Sequence, residues 1–325
     1  MALILTRQDV KKVLNMKDCI NVVEQAFLEF NKGTTVLPMR TAITPPDGIS
    51  LYMPAYLKKM GALACKVVTV YKNNPETQNL PTTIGKVLLQ NPESGEVICI
   101  MDGGYLTAVR TGAVSGVATK YLTRDDKIQV AGIFGAGVQA QMQLVAICEV
   151  RDISKVIVYD LSDEAVSNFI GDLREKFGIE IIQTKNTDEV LQADIMCTAT
   201  SSPTPIFDGT KVKLGTHINA IGSHTPNARE LDTEIVKRST FIGDSKEACL
   251  KEAGDFIIPL NDGDIDESHF YADLGEIVSG DKQAGKNDSE ITIFKSNGLA
   301  IQDAATAKLV YDKAIEAGVG QNIYL

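Results

Sequence analysis

The 325-residue chain has no tryptophan and only three histidines, which argues against a metal centre built from several histidines. Basic residues are also few, since 32 lysines and arginines against 42 aspartates and glutamates give a formal net charge of -10. Nucleic acids and anionic membranes select basic surfaces, so neither is expected as a partner. The six cysteines are scattered without a CxxC pair, and no apolar run is long enough for a signal peptide or a membrane span. We therefore expect a cytoplasmic protein with reduced thiols.

The chain does have enough length for two domains and an ordinary apolar content of 44%. The first third predicts a helix capped by Asp18 and several strands, two of which are joined by the hairpin turn Asn91–Gly95. From about residue 128, strands alternate with helices, which is typical of a parallel sheet with helical crossovers. The last segment, Ala300–Ala317, predicts an amphipathic helix that ends at Gly318. We expect an α/β fold with a parallel-sheet domain and a smaller mixed domain of helices and strands.

A glycine-rich loop follows the first strand of this predicted parallel sheet. The strand Gln129–Phe134 leads into Gly135-Ala-Gly137-Val138-Gln139-Ala140, and a helix follows. The first glycine permits a tight turn, the second lets a pyrophosphate approach the backbone, and the alanine allows the helix to pack closely on the strand. N–H groups at the start of the helix would bind the phosphates. The loop therefore predicts a dinucleotide site.

The next strand ends in Asp160, which is placed to accept hydrogen bonds from the adenosine ribose hydroxyls. Leu161 and Ser162 follow it, so a 2′-phosphate would meet a negative charge and no arginine. NAD is therefore favoured over NADP. Thr200 and Ser201 follow another strand, at the sheet edge where such folds bind ligands. They are either cofactor contacts or part of an ordinary polar loop.

Three basic residues stand in apolar surroundings. Lys66 lies in the strand Ala62–Tyr71, whose two faces are both largely apolar. In an interior strand, burial would lower the lysine pKa toward neutrality, which suits a group that carries protons in catalysis. At an edge, the side chain would instead reach water. Arg110, in a helix rich in small residues, and Arg40, after an apolar run, would each bind a carboxylate in a bidentate pair or lie solvated on the surface.

His224 follows the strand Ile218–Ile221, at the carboxyl end of the predicted parallel sheet, where ligands bind. Histidine as a residue type titrates near neutral pH, so a histidine here would act as an acid or base. The alternative is a loop histidine that only caps a turn.

Taken together, these residues resemble the ornithine cyclodeaminase/mu-crystallin family over nearly the whole chain. The resemblance is carried, in chain order, by Arg40, Lys66, Leu80-Pro-Thr82, Arg110-Thr111-Gly112, the loop Gly135–Ala140, Pro226-Asn-Ala-Arg-Glu-Leu231 and Ser296-Asn-Gly-Leu-Ala-Ile-Gln-Asp303. It implies a homodimer. Residues 1–118 and 300–325 would form the substrate-binding and dimerisation domain, and residues 119–299 would form a Rossmann-type domain that binds NAD(P).

The resemblance also implies residue roles. The substrate carboxylate would be held by Arg40, Lys66 and Arg110, with Lys66 also moving protons. The cofactor would be contacted by Thr82, Arg110, Thr111, Asn297 and Gly298. Family members that cyclise ornithine, and the archaeal-type alanine dehydrogenase, carry an aspartate where this chain has His224. A neutral histidine would accept a proton but would not pair as readily with the second ammonium of ornithine.

The leading hypothesis is an NAD(H)-dependent oxidoreductase acting at the Cα–N bond of a small amino or cyclic imino acid, with Lys66 and His224 as catalytic residues. Reduction of pyrroline-2-carboxylate and interconversion of alanine with pyruvate and ammonia are the two reactions that fit. One alternative is ornithine cyclodeamination with recycled NAD. Another is a crystallin-like binding protein that has kept the dinucleotide fold without the chemistry.

Overall fold

The computed structural model describes residues 1–124 and 129–324 of the chain. Its strands, in chain order, are β1 (Ala2–Leu5), β2 (Thr35–Val36), β3 (Thr41–Ile43), β4 (Ile49–Leu57), β5 (Ala62–Val70), β6 (Thr83–Gln90), β7 (Val97–Asp102), β8 (Gln129–Phe134), β9 (Ile153–Tyr159), β10 (Glu180–Gln183), β11 (Ile195–Thr198), β12 (His217–Ala220), β13 (Ser239–Gly243), β14 (Phe270–Asp273), β15 (Ile291–Lys295) and β16 (Gln321–Ile323). Its α-helices are α1 (Arg7–Val13), α2 (Met16–Asn31), α3 (Asn74–Thr77), α4 (Gly103–Leu122), α5 (Val138–Val150), α6 (Asp163–Phe177), α7 (Thr187–Val190), α8 (Thr233–Lys237), α9 (Lys246–Glu252), α10 (Gly254–Asn261), α11 (Leu274–Ser279) and α12 (Ala300–Ala317).

The chain divides into two compact units. Unit 1 is Met1–Thr111 together with the C-terminal segment that begins at Leu299, and unit 2 is Gly112–Gly298. The first boundary therefore falls within α4, seven residues before the position expected from the sequence, and the second falls directly before α12. Within the described parts of the chain, no helix is long and apolar enough to cross a membrane.

Unit 1 is built on a mixed sheet with the strand order β16-β1-β7-β6-β5-β4-β2, and β3 also pairs with β4. The helix α12 packs across β4, β5 and β6 and against α2. In the register of the sheet, Lys66 on β5 stands between Met53 on β4 and Val87 on β6. Because β5 is an interior strand, the interpretation of Lys66 as an edge-strand lysine is excluded.

The first long helix of unit 1 begins earlier than the sequence predicted. Asn15, not Asp18, caps α2, because the Asn15 side chain accepts a hydrogen bond from the Asp18 backbone N–H at 2.9 Å. Asp18 lies in the first turn, where a negative charge is also favourable. The bounds predicted for α12 are confirmed, and the helix ends at Gly318, whose φ of +63° favours glycine.

Unit 2 is built on an all-parallel sheet with the order β10-β9-β8-β11-β12-β15-β13-β14. The chain starts at β8 in the middle, runs outward through β9 and β10, and then crosses to β11 on the other side. This reversal is the switch point at which doubly wound sheets bind ligands, at the carboxyl ends of the strands. The predicted α/β class is confirmed.

Candidate active site

A cavity of about 850 Å³ opens beside the carboxyl ends of β8, β9 and β11 in unit 2. The glycine-rich loop, the end of β9 and the loop after β11 supply its lining: Phe134, Gly135, Gly137, Val138, Gln139, Tyr159, Asp160, Leu161, Ala199, Thr200, Ser201, Ser202, Pro203 and Ile206. Seven of these residues are among the cofactor contacts predicted from the sequence, namely Gly135, Gly137, Val138, Gln139, Asp160, Thr200 and Ser201. The fold therefore brings the three predicted segments to one cavity.

The two glycines of the loop serve different purposes. Gly135 has a φ of +97°, and a Cβ at this position would lie 2.6 Å from the carbonyl oxygen of Ala199. Only glycine fits such a turn. A Cβ on Gly137, by contrast, would have no described atom within 4 Å, so the missing side chain leaves free space beside the cavity. Helix α5 then begins at Val138 with no acidic residue in its first turn, so its N–H groups can bind a phosphate.

Asp160 connects the end of β9 to the glycine-rich loop. Its Oδ2 accepts a hydrogen bond from the Ala136 N–H at 2.8 Å, and its Oδ1 accepts one from the Ser162 N–H at 2.8 Å. Each carboxylate oxygen can accept more than one hydrogen bond, so both can still bind a ribose hydroxyl. The sequence suggested the ribose contact but not the second task, which is to hold the turn in place.

A separate cluster of charges lies inside unit 1. Lys66 is 2% exposed, and its Nζ lies 2.9 Å from Oδ1 and 2.8 Å from Oδ2 of Asp303. Arg110 donates from Nε to Asp303 Oδ1 at 3.0 Å and from Nη1 to Gln302 Oε1 at 2.5 Å. Asp303 and Gln302 lie in the first turns of α12 and Arg110 lies on α4, so two helices and an interior strand meet at one carboxylate.

The charges of this cluster set the proton affinity of Lys66. Burial, followed by the charges of Arg110 and Arg40, lowers the Lys66 pKa, and Asp303 opposes them, so that the resulting pKa is about 8. Arg40 is half-buried, in the segment between β2 and β3. Three cations, Lys66 itself included, thus act at this position, and among the described residues one carboxylate, Asp303, contacts both Lys66 and Arg110; this balance favours the binding of a further anion. A lysine with a pKa near 8 can give up and regain a proton near neutral pH.

Two threonines expected to contact the cofactor also lie in unit 1. Thr82 is half-buried just before β6, and its carbonyl oxygen accepts a hydrogen bond from the Tyr71 N–H at 2.8 Å. Thr111 is buried at the end of the unit 1 part of α4, and its hydroxyl donates to the Thr107 carbonyl at 2.7 Å.

The histidines differ in their surroundings. His224 is exposed in the loop after β12, with its Nδ1 at 3.3 Å from the Gly222 carbonyl oxygen. His217 is buried on β12, where its Nδ1 lies 2.8 Å from Thr292 Oγ1 and burial lowers its pKa to about 3. His217 therefore stays neutral at physiological pH and has a structural role. Only His224 is in a loop at the ligand-binding edge of the sheet.

Asn297 and Gly298 follow β15 and are held by a carboxylate that was not predicted from the sequence. Asp244 is fully buried just after β13, and its Oδ2 accepts N–H hydrogen bonds from Asn297 at 2.8 Å and from Gly298 at 2.7 Å. Gly298 has a φ of +83°, which explains the glycine in this turn. The signal available in the sequence was an aspartate directly after a strand of the parallel sheet.

Proteins of known activity are similar to this chain in both sequence and fold. The model of the ornithine cyclodeaminase/mu-crystallin family matches residues 1–318. A Delta(1)-pyrroline-2-carboxylate reductase from Bacillus cereus is 39% identical over 325 residues, covering 99% of each chain.

Two solved structures are also similar over nearly their full lengths. The Thermococcus litoralis Delta(1)-pyrroline-2-carboxylate reductase, in complex with NADH and L-proline, has a TM-score of 0.95 and 48% identity over 99% of this chain and 100% of that one. An archaeal alanine dehydrogenase dimer with bound NAD has a TM-score of 0.94 and 36% identity, over 100% of this chain and 99% of that one. The resemblance stated from the sequence is confirmed.

Proposed function

The chain belongs to the ornithine cyclodeaminase/mu-crystallin family, and we propose that it reduces the C=N bond of a small cyclic imino acid, such as pyrroline-2-carboxylate, with NADH. The expected class of enzyme, an NAD-dependent oxidoreductase of amino or imino acids, is confirmed by the relatives. The observation that carries the proposal is the buried cluster of Lys66, Arg110 and Asp303. It combines an excess of positive charge with a lysine that titrates near neutral pH.

The cavity of unit 2 fits the dinucleotide. Gly135 and Gly137 leave the backbone open to a pyrophosphate, and Asp160 is placed for the ribose hydroxyls. When bound, NADH supplies the hydride that reduces the substrate carbon. We assign Thr82, Thr111, Asn297 and Gly298 as further cofactor contacts, as the family resemblance implies.

The substrate carboxylate pairs with Arg40 and Arg110. Asp303 and Gln302 hold Nε and Nη1 of Arg110, which fixes the plane of its guanidinium group. A guanidinium with a fixed plane loses less entropy when it binds a carboxylate. Arg40 supplies a second positive charge on the same region.

Lys66 provides the proton. Its ammonium form would donate a proton to the imine nitrogen, so that in the reduced C–N bond the new hydrogen on nitrogen would come from Lys66. Neutral Lys66 takes the proton back from the amine in the reverse reaction. Asp303 keeps Nζ in position throughout by hydrogen bonding to it. His224 is a second acid or base candidate, on the loop after β12.

Ornithine cyclodeamination is the second candidate reaction, and the charges argue against it. The second ammonium of ornithine would need an acidic partner. Both oxygens of Asp303 are already within 3.0 Å of cationic nitrogens, and His224 supplies no negative charge. Alanine dehydrogenation has no such requirement and is the closer alternative.

A substrate panel and one variant test the proposal. Cyclic imino acids should oxidise NADH, as followed by absorbance, faster than pyruvate with ammonia does. Ornithine with catalytic NAD should yield no proline. Lys66→Ala should abolish turnover and leave NADH binding intact, whereas Lys308→Ala, which removes a surface ion pair with Asp312 on α12, should leave turnover unchanged. Normal turnover in Lys66→Ala would refute the assignment.

We further propose that the protein acts as a cytoplasmic homodimer. Unit 1 exposes apolar side chains on and near β2 and β3, with Val36 49% exposed, Met39 41% exposed and Ile43 53% exposed. A second copy of the chain would cover such residues. Light scattering after gel filtration should give the mass of two chains, and a single-chain mass would contradict the dimer.

A further inference from the structure

Glu230 is a fully buried carboxylate in unit 2 that the proposed reaction does not use. It accepts four hydrogen bonds. Oε1 accepts from the backbone N–H and the hydroxyl of Thr200, both at 2.7 Å. Oε2 accepts from the Thr198 hydroxyl at 2.7 Å and from the Gly222 N–H at 2.8 Å. Glu230 therefore links the end of β11 with the end of β12.

Both of the linked segments lead to functional loops. Thr200 lies near the start of the stretch from Ala199 to Ile206, which lines the dinucleotide cavity. The Ile206 N–H also donates to the Glu230 carbonyl oxygen, at 3.0 Å, so one residue anchors both ends of this stretch. Gly222 begins the loop that carries His224 two residues later.

The packing at Gly222 shows how closely the two segments approach. A Cβ on Gly222 would lie 2.3 Å from the Thr200 carbonyl oxygen and 2.4 Å from Glu230 Oε1. Contacts this short are not possible for a side chain, so glycine is required, although its φ is not in the left-handed region. The close approach allows one carboxylate to bind the backbone of both loops.

The buried ion pair of Asp255 and Lys295 holds the backbone of Glu230. Asp255 Oδ1 accepts the N–H groups of Glu230 at 2.8 Å and Leu231 at 2.9 Å. Asp255 Oδ2 pairs with Lys295 Nζ at 2.6 Å, and Lys295 also donates to the Ser223 carbonyl oxygen at 2.5 Å. Ser223 in the His224 loop, and Glu230 and Leu231 after it, are thus held by fully buried, charged groups, which are costly to bury unless they are paired.

We propose that Glu230 is a positioning residue that holds the cofactor-binding loop and the His224 loop in one arrangement, and so determines the affinity for NADH and the rate of the reaction together. The proposal rests on the proposed function, because it takes the cavity as the NADH site. Glu230 itself lies behind the cavity lining, so it acts through Thr200 and Gly222. Its removal should loosen both loops without removing any group that touches the cofactor.

The chain offers a matched control for this test. Glu290, also in unit 2, accepts a hydroxyl bond from Thr240 at 2.6 Å and a backbone N–H bond from Gly285 at 2.8 Å. These two residues are away from the cavity lining named above. Glu290→Ala therefore removes a similar set of hydrogen bonds from the same unit, and it reports the effect of lost stability alone.

The experiment measures NADH binding by the fluorescence of the bound nucleotide, and steady-state kinetics with the best imino-acid substrate. Glu230→Ala should raise the Kd for NADH at least tenfold and lower kcat as well. Glu230→Gln should restore part of both, because the amide still offers one oxygen acceptor but presents N–H groups to the other loop. Glu290→Ala should bind NADH within twofold of the wild-type Kd.

The outcomes are distinguishable. If Glu230→Ala does not fold, Glu230→Gln replaces it, with an expected rise of about threefold in Kd against no change in Glu290→Gln. Wild-type Kd and kcat in a folded Glu230 variant would overturn the positioning role and leave the proposed function intact. Failure of the wild-type protein to bind NADH would overturn the proposed function, and this inference with it.

Discussion

We predict that neutralising Asp303 shifts the pH dependence of the reaction. In the described part of unit 1, Asp303 is the only carboxylate that contacts both Lys66 and Arg110. Asp303→Asn keeps the shape of the side chain but removes its charge. Lys66 Nζ lies 2.8 Å from Asp303 Oδ2, and at an effective dielectric constant near 20 two unit charges at this distance attract by about 6 kcal/mol. Because one pH unit corresponds to about 1.36 kcal/mol, the loss of even a quarter of this attraction moves the Lys66 titration by about one pH unit.

The direction of the change in the Lys66 pKa follows from the charges around this lysine. Burial, Arg110 and Arg40 lower the Lys66 pKa to about 8, while Asp303 opposes them, so removal of Asp303 lowers this pKa further. Reduction requires the protonated lysine, so its rate falls as pH rises through the Lys66 pKa. Oxidation requires the neutral lysine, so its rate rises as pH rises through the same value. In Asp303→Asn, both transitions should move to lower pH by at least about one unit.

The assay is the pH dependence of kcat/KM in both directions, with the imino acid and NADH or with the amino acid and NAD. Asp18→Asn is the control, because Asp18 pairs with Lys313 in the same unit and does not contact Lys66 in the described structure. Its profile should match that of the wild-type protein. If both transitions stay in place in folded Asp303→Asn, then Lys66 is not the titrating group or Asp303 does not control it, and the proposed proton transfer is wrong.

Two further predictions concern unit 2. Asp160→Ala should lower the ratio of kcat/KM for NADH over that for NADPH at least tenfold, because it removes both a ribose acceptor and the negative charge that repels a 2′-phosphate; an unchanged ratio would contradict the assignment of Asp160. For His217, burial lowers the pKa from 6.5 to about 3, so the unfolded chain binds a proton that the folded chain does not, and stability is lost as pH falls from 6.5 toward 3. The free energy of unfolding falls by on the order of 3–5 kcal/mol over this range. In urea unfolding, the free energy of unfolding of His217→Gln should depend less steeply on pH than that of the wild-type protein. An equally steep pH dependence in the two proteins would refute the account.

The parts of the site that were predictable from the sequence are those defined by neighbours along the chain. The glycine-rich loop is recognisable because the strand, the turn and the helix are contiguous, and its residues line one cavity in the structure. Lys66 could be singled out because its own strand is apolar. The cap of α2 was assigned to Asp18 because Asn15 and Asp18 are both good capping residues, three positions apart, and only the backbone geometry distinguishes them.

The partners of the buried cations were not predictable in this way. Asp303 contacts Lys66 across 237 residues and Arg110 across 193 residues. A buried lysine requires an acceptor, so the sequence does imply that some carboxylate meets Lys66. It contains 42 acidic residues, however, and periodicity places Asp303 only on a helix, not against a strand. Which acidic residue contacts Lys66 depends on how α12 packs across β5.

The acidic residues of this chain are not confined to its surface. An excess of acidic residues is ordinarily a property of the surface, yet Glu230, Asp244, Asp255 and Asp303 are all essentially buried. Asp303, Glu230 and Asp244 bind the predicted site residues Lys66, Thr200 and Asn297 directly. Asp255 accepts the backbone N–H groups of Glu230 and Leu231 and so acts one step further from the site. Net charge does not reveal them, because four interior carboxylates are indistinguishable in composition from four exposed ones. If the proposed function is correct, the cations and the glycine loop bind the reactants, and these four acids keep the binding groups in place.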